Sequence, residues 1–115
     1  MKSSRLTIAT VNVNGLRAAS ANGMAAWVEQ RRPDVITMQE VRAPDELVAG
    51  LVEEIAGAGW HVAHSECAAK GRAGVAVASR RPIVATRTGL KGTRGADAFD
   101  DSGRWIEADI ESSDG

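Results

Sequence analysis

The sequence predicts an α/β layered domain built on a mixed β-sheet with flanking helices. Two observations lead there. Short β-branched or apolar runs alternate with stretches of helical spacing, and turn residues separate them at close intervals. Leu6 to Val13 (LTIATVNV) reads as the first strand and ends at the turn dipeptide Asn14-Gly15. Residues 22 to 31 read as a short helix, with Met24, Trp27 and Val28 at helical spacing and Asn22 as its candidate cap. Pro33-Asp34 closes it. Val35 to Gln39 (VITMQ) is a short apolar run of the kind buried on both faces.

Pro44 opens a clearer helix. Leu47, Val48, Leu51, Val52 and Ile55 form one stripe, Asp45 and Glu46 favour the dipole in the first turn, and Gly57 and Gly59 end it. Four strands follow: Trp60 to Ser65, Gly74 to Ser79, Ile83 to Thr88 and Arg104 to Ile110. The last alternates, with Ile106, Ala108 and Ile110 opposite Trp105, Glu107 and Asp109. No repeat or low-complexity segment interrupts the order β-α-β-α-β-β-β-β. Asp114-Gly115 after an alternating strand is a hairpin signal with no second strand, which suggests a cut within a sheet.

Composition excludes several classes. The 115 residues are 43% hydrophobic and 25% charged, as in ordinary globular chains. No apolar run approaches the roughly 18 residues of a membrane span, and no apolar leader follows Met1 to Arg5. A single cysteine, Cys67, has no internal partner, so a reducing cytoplasm is the expected location. It has neither a C-x-x-C partner nor an adjacent base, and reads as inert. Trp27, Trp60 and Trp105 are expected in the core; with Phe99 they are the only aromatics, too few for a base-stacking platform.

The net charge of −1 conceals a segregated pattern. Lys70, Arg72, Arg80, Arg81, Arg87, Lys91 and Arg94 fall in a stretch with no acid, residues 67 to 96. From Asp97 onward acids outnumber Arg104, the one base. Such clustering makes either two solvated surfaces of opposite sign or a local potential that attracts phosphate.

Asn12 and Asn14 lie two apart at the end of the first strand. The strand period places both in line with Leu6 and Ile8, an inward-facing pair that needs a reason, unless Asn14-Gly15 is only a turn. Glu40 ends the second strand with the parity of Ile36 and Met38. It is either a loop carboxylate or a ligand for Mg²⁺, placed where α/β proteins put theirs. Gly71-Arg72-Ala73-Gly74 is a basic glycine loop, either a plain connection or a place for close backbone approach. No P-loop or dinucleotide fingerprint is present. His61 and His64, three apart on a strand, face opposite ways, poor geometry for a shared metal, and read as structural or surface residues.

Together, Thr10-Val-Asn-Val-Asn-Gly-Leu-Arg-Ala18 and Arg32-Pro-Asp-Val-Ile-Thr-Met-Gln-Glu40 resemble the opening of the exodeoxyribonuclease III family. These are apurinic/apyrimidinic endonucleases of the endonuclease/exonuclease/phosphatase superfamily. Lys70 to Val77 and Gly103 to Ala108 follow in the family's order, so the resemblance runs from about Leu6 to Ile110. It implies a four-layer, deoxyribonuclease I-like α/β sandwich, of which residues 1–115 would be the N-terminal portion and roughly one sheet with its helices.

By that resemblance Asn12 and Glu40 are catalytic positions. Glu40 would ligate Mg²⁺ (or Mn²⁺), with Asn12 and Asn14 beside the metal. Arg17, Gly71 and Arg72 would meet the DNA backbone, and Arg104 would either contact phosphate or only support its strand. The implied activity is 3′–5′ exonuclease and abasic-site endonuclease on double-stranded DNA in base excision repair, by a protein monomeric when full length. Val11 replaces a common Trp or Phe, and Val41-Arg42 a common Thr-Lys. The family's catalytic tyrosine, Asp-x-Asn segment and Asp-His pair have no counterpart in this chain, which has no tyrosine. The 115 residues alone are therefore expected to be inactive. The alternatives are a superfamily phosphoesterase for a small phosphodiester or phosphoinositide, and a non-catalytic remnant.

Overall fold

The computed structural model describes residues 5–69, 71–88 and 103–111. Lys70, Lys91, Arg94, Asp97, Phe99, Asp100, Asp101 and the closing Asp114-Gly115 turn lie outside them. The elements run β1 (Ile8–Asn12), α1 (Leu16–Ala21), α2 (Met24–Arg31), β2 (Val35–Gln39), α3 (Asp45–Ala56), β3 (His61–Ser65), β4 (Val75–Ser79), β5 (Ile83–Thr88) and β6 (Ile106–Ile110). Every expected strand is present. The expected helix at residues 22 to 31 begins at Met24, and α1 is an additional helix that periodicity did not indicate. Asn22 closes α1 rather than opening α2, whose N-terminal flank is Gly23 at φ 95°.

A four-stranded sheet has the order β1-β2-β4-β3. β1 and β2 are parallel, with Ile8 opposite Val35 and Asn12 opposite Gln39. β4 is antiparallel to both β2 and β3, so the sheet is mixed. The helices cover one face. There Ile36, Met38, Ala76 and Ala78 pack with Leu16, Val28, Val48, Val52 and Ile55, and Trp27 and Trp60 close the edges of this core. The apolar stripe of α3 explains its placement: Val48, Val52 and Ile55 are buried, and Gly57 terminates the helix at φ 93°.

The last two strands form a separate two-stranded ribbon, β5 antiparallel to β6, packed against β3 and β4. Helices, sheet and ribbon thus make successive layers, one more than the expected single sheet with its helices. The ribbon also changes two expectations. Trp105 is 39% exposed and donates Nε1–H to Glu107 Oε2 instead of packing the core. The basic and acidic segments are not wholly separate surfaces, because Arg87 donates to both carboxylate oxygens of Asp109 at 2.8 and 3.1 Å. Those hydrogen bonds, and then the guanidinium charge, hold the Asp109 carboxyl below its ordinary range. His61 and His64 face opposite ways as expected; His64 is buried with Nδ1 3.0 Å from Asp45 Oδ1. Among the described residues no helix is long and apolar enough to cross a membrane.

A close contact ties the start of the ribbon to the β3–β4 loop. Gly74 N–H donates to the Gly103 carbonyl at 2.8 Å. Gly103 has φ 63°, and a Cβ there would lie 2.5 Å from the Cys67 nitrogen. Only glycine satisfies both conditions. Gly103→Ala is expected to destabilise the fold by about 2–4 kcal/mol through left-handed strain and overpacking, read as a lowered thermal midpoint. Asp109→Asn tests the ribbon pair. A carboxyl whose folded pKa is depressed stabilises above its unfolded pKa and ceases to as pH falls through the folded value. The thermal-midpoint gap between wild type and Asp109→Asn is therefore expected at pH 7, to close below about pH 4, and to narrow in high salt because the pair is exposed.

Candidate active site

The C-terminal ends of β1 and β2 lie side by side, and three loops meet there. Val13 N–H extends the ladder to the Gln39 carbonyl at 3.0 Å. Beyond it, Gly15 and Leu16 N–H donate to the Glu40 and Val41 carbonyls, each at 2.8 Å. From the other side, Val41 and Arg42 N–H donate to the Gly74 and Ala73 carbonyls at 3.0 and 2.8 Å. The segment Glu40-Val41-Arg42 is thus tied to both the β1–α1 loop and the β3–β4 loop, with the Val41 side chain fully buried.

This binding sets an unusual backbone. Glu40 and Arg42 have φ of 54° and 52°, left-handed values that cost a non-glycine residue about 1–2 kcal/mol each. The four inter-loop hydrogen bonds are of the size to offset it. Strand alternation had placed Glu40 on the side of Ile36 and Met38. The left-handed turn breaks that alternation, and its carboxylate meets Asn12 instead. The expectation for Asn12 also needs correcting. Its face, shared with Leu6 and Ile8, is directed away from the helical core, and those two residues are 42% and 60% exposed.

The polar side chains form one connected set. Asn12 Nδ2 donates to Glu40 Oε2. Arg42 donates through Nη2 to Glu40 Oε1 at 2.5 Å and through Nη1 to Asn14 Oδ1 at 2.9 Å. Asn14, itself at φ 49°, donates its backbone N–H to Asn12 Oδ1 at 3.0 Å, an Asx turn that fixes the Asn12 amide. Gln39 Nε2 donates to Thr10 Oγ1 just behind.

The set opens on a cavity of about 450 Å³ lined by Glu40, Arg42, Gly71, Arg72, Ala73 and Arg104. Four positions singled out in the sequence (Glu40, Gly71, Arg72 and Arg104) converge here from three separate stretches. Asn12 lines a second, more apolar cavity of about 440 Å³ with Val11, Met24 and Trp27. The Asn12–Glu40 bond therefore joins the two spaces. Arg17 is not brought in; it is exposed on α1 and lines neither cavity. Arg42 is the residue that sequence reasoning passed over as a mild departure. Its signal was position, two residues beyond Glu40.

Chemically, the described residues of the cavity offer one carboxylate among three guanidinium groups, suited to an anion. Among the described residues no three His, Cys, Asp or Glu side chains converge on a metal position. The donors at hand are the Glu40 carboxylate and the carboxamide oxygens of Asn12 and Asn14. These hard oxygens suit Mg²⁺, which commonly takes one or two carboxylates and completes its shell with water and substrate oxygens.

The chain is similar to known proteins along most of its length. The Endonuclease/Exonuclease/phosphatase family model matches residues 9–111. Exodeoxyribonuclease III of Haemophilus influenzae is 35% identical over 104 residues, covering 90% of this chain and 36% of that protein. An AP endonuclease structure from Archaeoglobus fulgidus superposes with a TM-score of 0.71 at 32% identity, covering 92% of this chain and 37% of that one. A 3′ phosphatase from Neisseria, solved bound to a product DNA hairpin, shares the fold at TM-score 0.68 and 23% identity, covering 93% and 38%. The chain spans just over a third of the length of each of these proteins. With a family match running through β1, the Glu40 turn, the basic loop and the ribbon, the chain belongs to the Endonuclease/Exonuclease/phosphatase family.

Proposed function

We propose that the protein in its full-length form hydrolyses phosphodiester bonds of double-stranded DNA with Mg²⁺ or Mn²⁺, as a 3′–5′ exonuclease and abasic-site endonuclease of base excision repair in the cytoplasm, the 115 residues alone being inactive. The observation that carries this reading is the Asn12–Glu40–Arg42–Asn14 set opening directly onto the Arg72–Arg104 cavity. A carboxylate able to hold a hard cation there stands beside side chains able to hold phosphate. The similarity to exodeoxyribonuclease III and to an AP endonuclease, at 35% and 32% identity, supports DNA as the substrate.

Each residue has a definite task on this reading. Glu40 holds the cation, and Asn12, donating to Glu40 Oε2, keeps its carboxylate turned toward the cavity. Asn14 supplies a further oxygen at the rim. A divalent cation held by Glu40 with Asn14 would supply polarisation of the phosphoryl oxygens and offset charge on the leaving oxygen. Arg72 and Arg104 hold the backbone phosphates, and Gly71 lets the loop approach the strand closely.

In the intact protein, Glu40→Gln is expected to raise the Mg²⁺ concentration for half-maximal activity and to lower cleavage of an abasic-site duplex by about 100-fold or more. Unchanged metal dependence and rate would overturn the assignment. Arg72→Ala and Arg104→Ala should each weaken duplex binding regardless of base sequence. Each should also reduce the slope of log affinity against log salt by about 1, measured by fluorescence anisotropy across a salt series.

A further inference from the structure

Glu40 is held from both sides by its own chain. Oε2 accepts from Asn12 Nδ2, and Oε1 accepts from Arg42 Nη2 at 2.5 Å. The same guanidinium crosses to the β1–α1 loop and donates to Asn14 Oδ1 at 2.9 Å. A planar fork can satisfy two such oxygens at once, whereas an ammonium acts as a single point charge. The reach is set by the backbone: Arg42 sits at φ 52° with its N–H tied to the Ala73 carbonyl at 2.8 Å.

The two oxygens that Arg42 occupies, Glu40 Oε1 and Asn14 Oδ1, are donors a hard cation would use. We infer that Arg42 is a positioning residue acting as an internal counter-cation. It sets the orientation of Glu40 and Asn14 in advance and, by occupying Oε1 and Oδ1, weakens the hold of the site on a divalent cation. The inference rests on the reading of Glu40 as the cation-holding residue. Arg42 and Glu40 are 43% and 36% exposed, so water can replace either partner when the pair parts. The displaced guanidinium has a second place to go, because Arg42 also lines the cavity of Arg72 and Arg104. An anion there would draw it from Glu40.

The test is Mn²⁺ binding to the intact protein, followed by electron paramagnetic resonance without substrate. Removing a positive charge a few ångströms from a divalent ion should make Arg42→Met bind Mn²⁺ about tenfold more tightly than wild type. Arg42→Lys, which keeps the charge and loses the fork, should stay within about threefold of wild type. Glu40→Gln should lose the site. A folding defect weakens binding, so a gain in affinity separates the proposed role from a merely structural one. Should Arg42→Met unfold, Arg42→Gln is neutral, can still donate to Glu40, and carries the same expectation of tighter binding. Unchanged or weaker binding in the neutral variants, with Glu40→Gln still losing the site, overturns the role of Arg42 and leaves the Glu40 reading intact. Absence of any Glu40-dependent Mn²⁺ binding overturns both.

Discussion

The site depends on the backbone hydrogen bonds that clamp Glu40-Val41-Arg42 between the β1–α1 loop and the β3–β4 loop. The buried Val41 anchors the centre, and the flanking residues take left-handed conformations that an unconstrained chain avoids. Strain of this kind persists only where the surroundings over-determine it. Here it turns the Glu40 carboxylate from the helical core to Asn12 and sets the Arg42 guanidinium between Glu40 and Asn14. Loops distant in sequence thereby become one polar surface.

The sheet supplies the rigid base that this clamp requires. Val35, Ile36 and Met38 on β2, with Ala76, Val77, Ala78 and Ser79 on β4, are buried, so the two central strands are held from both faces. β1 is different. Among the described residues it pairs only with β2, and the side chains on its far face are exposed. Its last residue, Asn12, therefore reaches solvent from a strand end whose position is fixed by the parallel ladder. A polar group that is rigidly placed and accessible is what a binding site needs.

Much of the fold was legible in local pattern. The β-branched run of β2 and the stripe of α3 each depend on residues a few positions apart, and both elements fall close to their expected bounds. α1 was not legible. Leu-Arg-Ala-Ala-Ser-Ala carries no apolar repeat and no side-chain cap; it is held by the burial of Leu16 and by the ties of Gly15 and Leu16 to Glu40 and Val41. The ribbon was legible as two strands but not as a separate layer, because pairing partners are decided across the chain. Trp105 shows the same limit. Its size suggested the core, while its place just before β6 left it partly in solvent.

By itself the sequence determined the α/β class, the order of the strands, and the choice of Asn12, Glu40, Gly71, Arg72 and Arg104 as residues to watch. The class and the strands follow from residue type and spacing, which are local properties; the choice of Arg104, and the site roles of the others, came from the family resemblance of those stretches. Only the tertiary structure decided that Glu40 turns toward Asn12, that Arg42 stands between Glu40 and Asn14, and that Arg17 remains outside the cavity. The first two reflect hydrogen bonds between loops far apart in the chain. Strand periodicity holds only while φ and ψ stay extended, and the clamp on Glu40-Val41-Arg42 ends that regularity where the site begins.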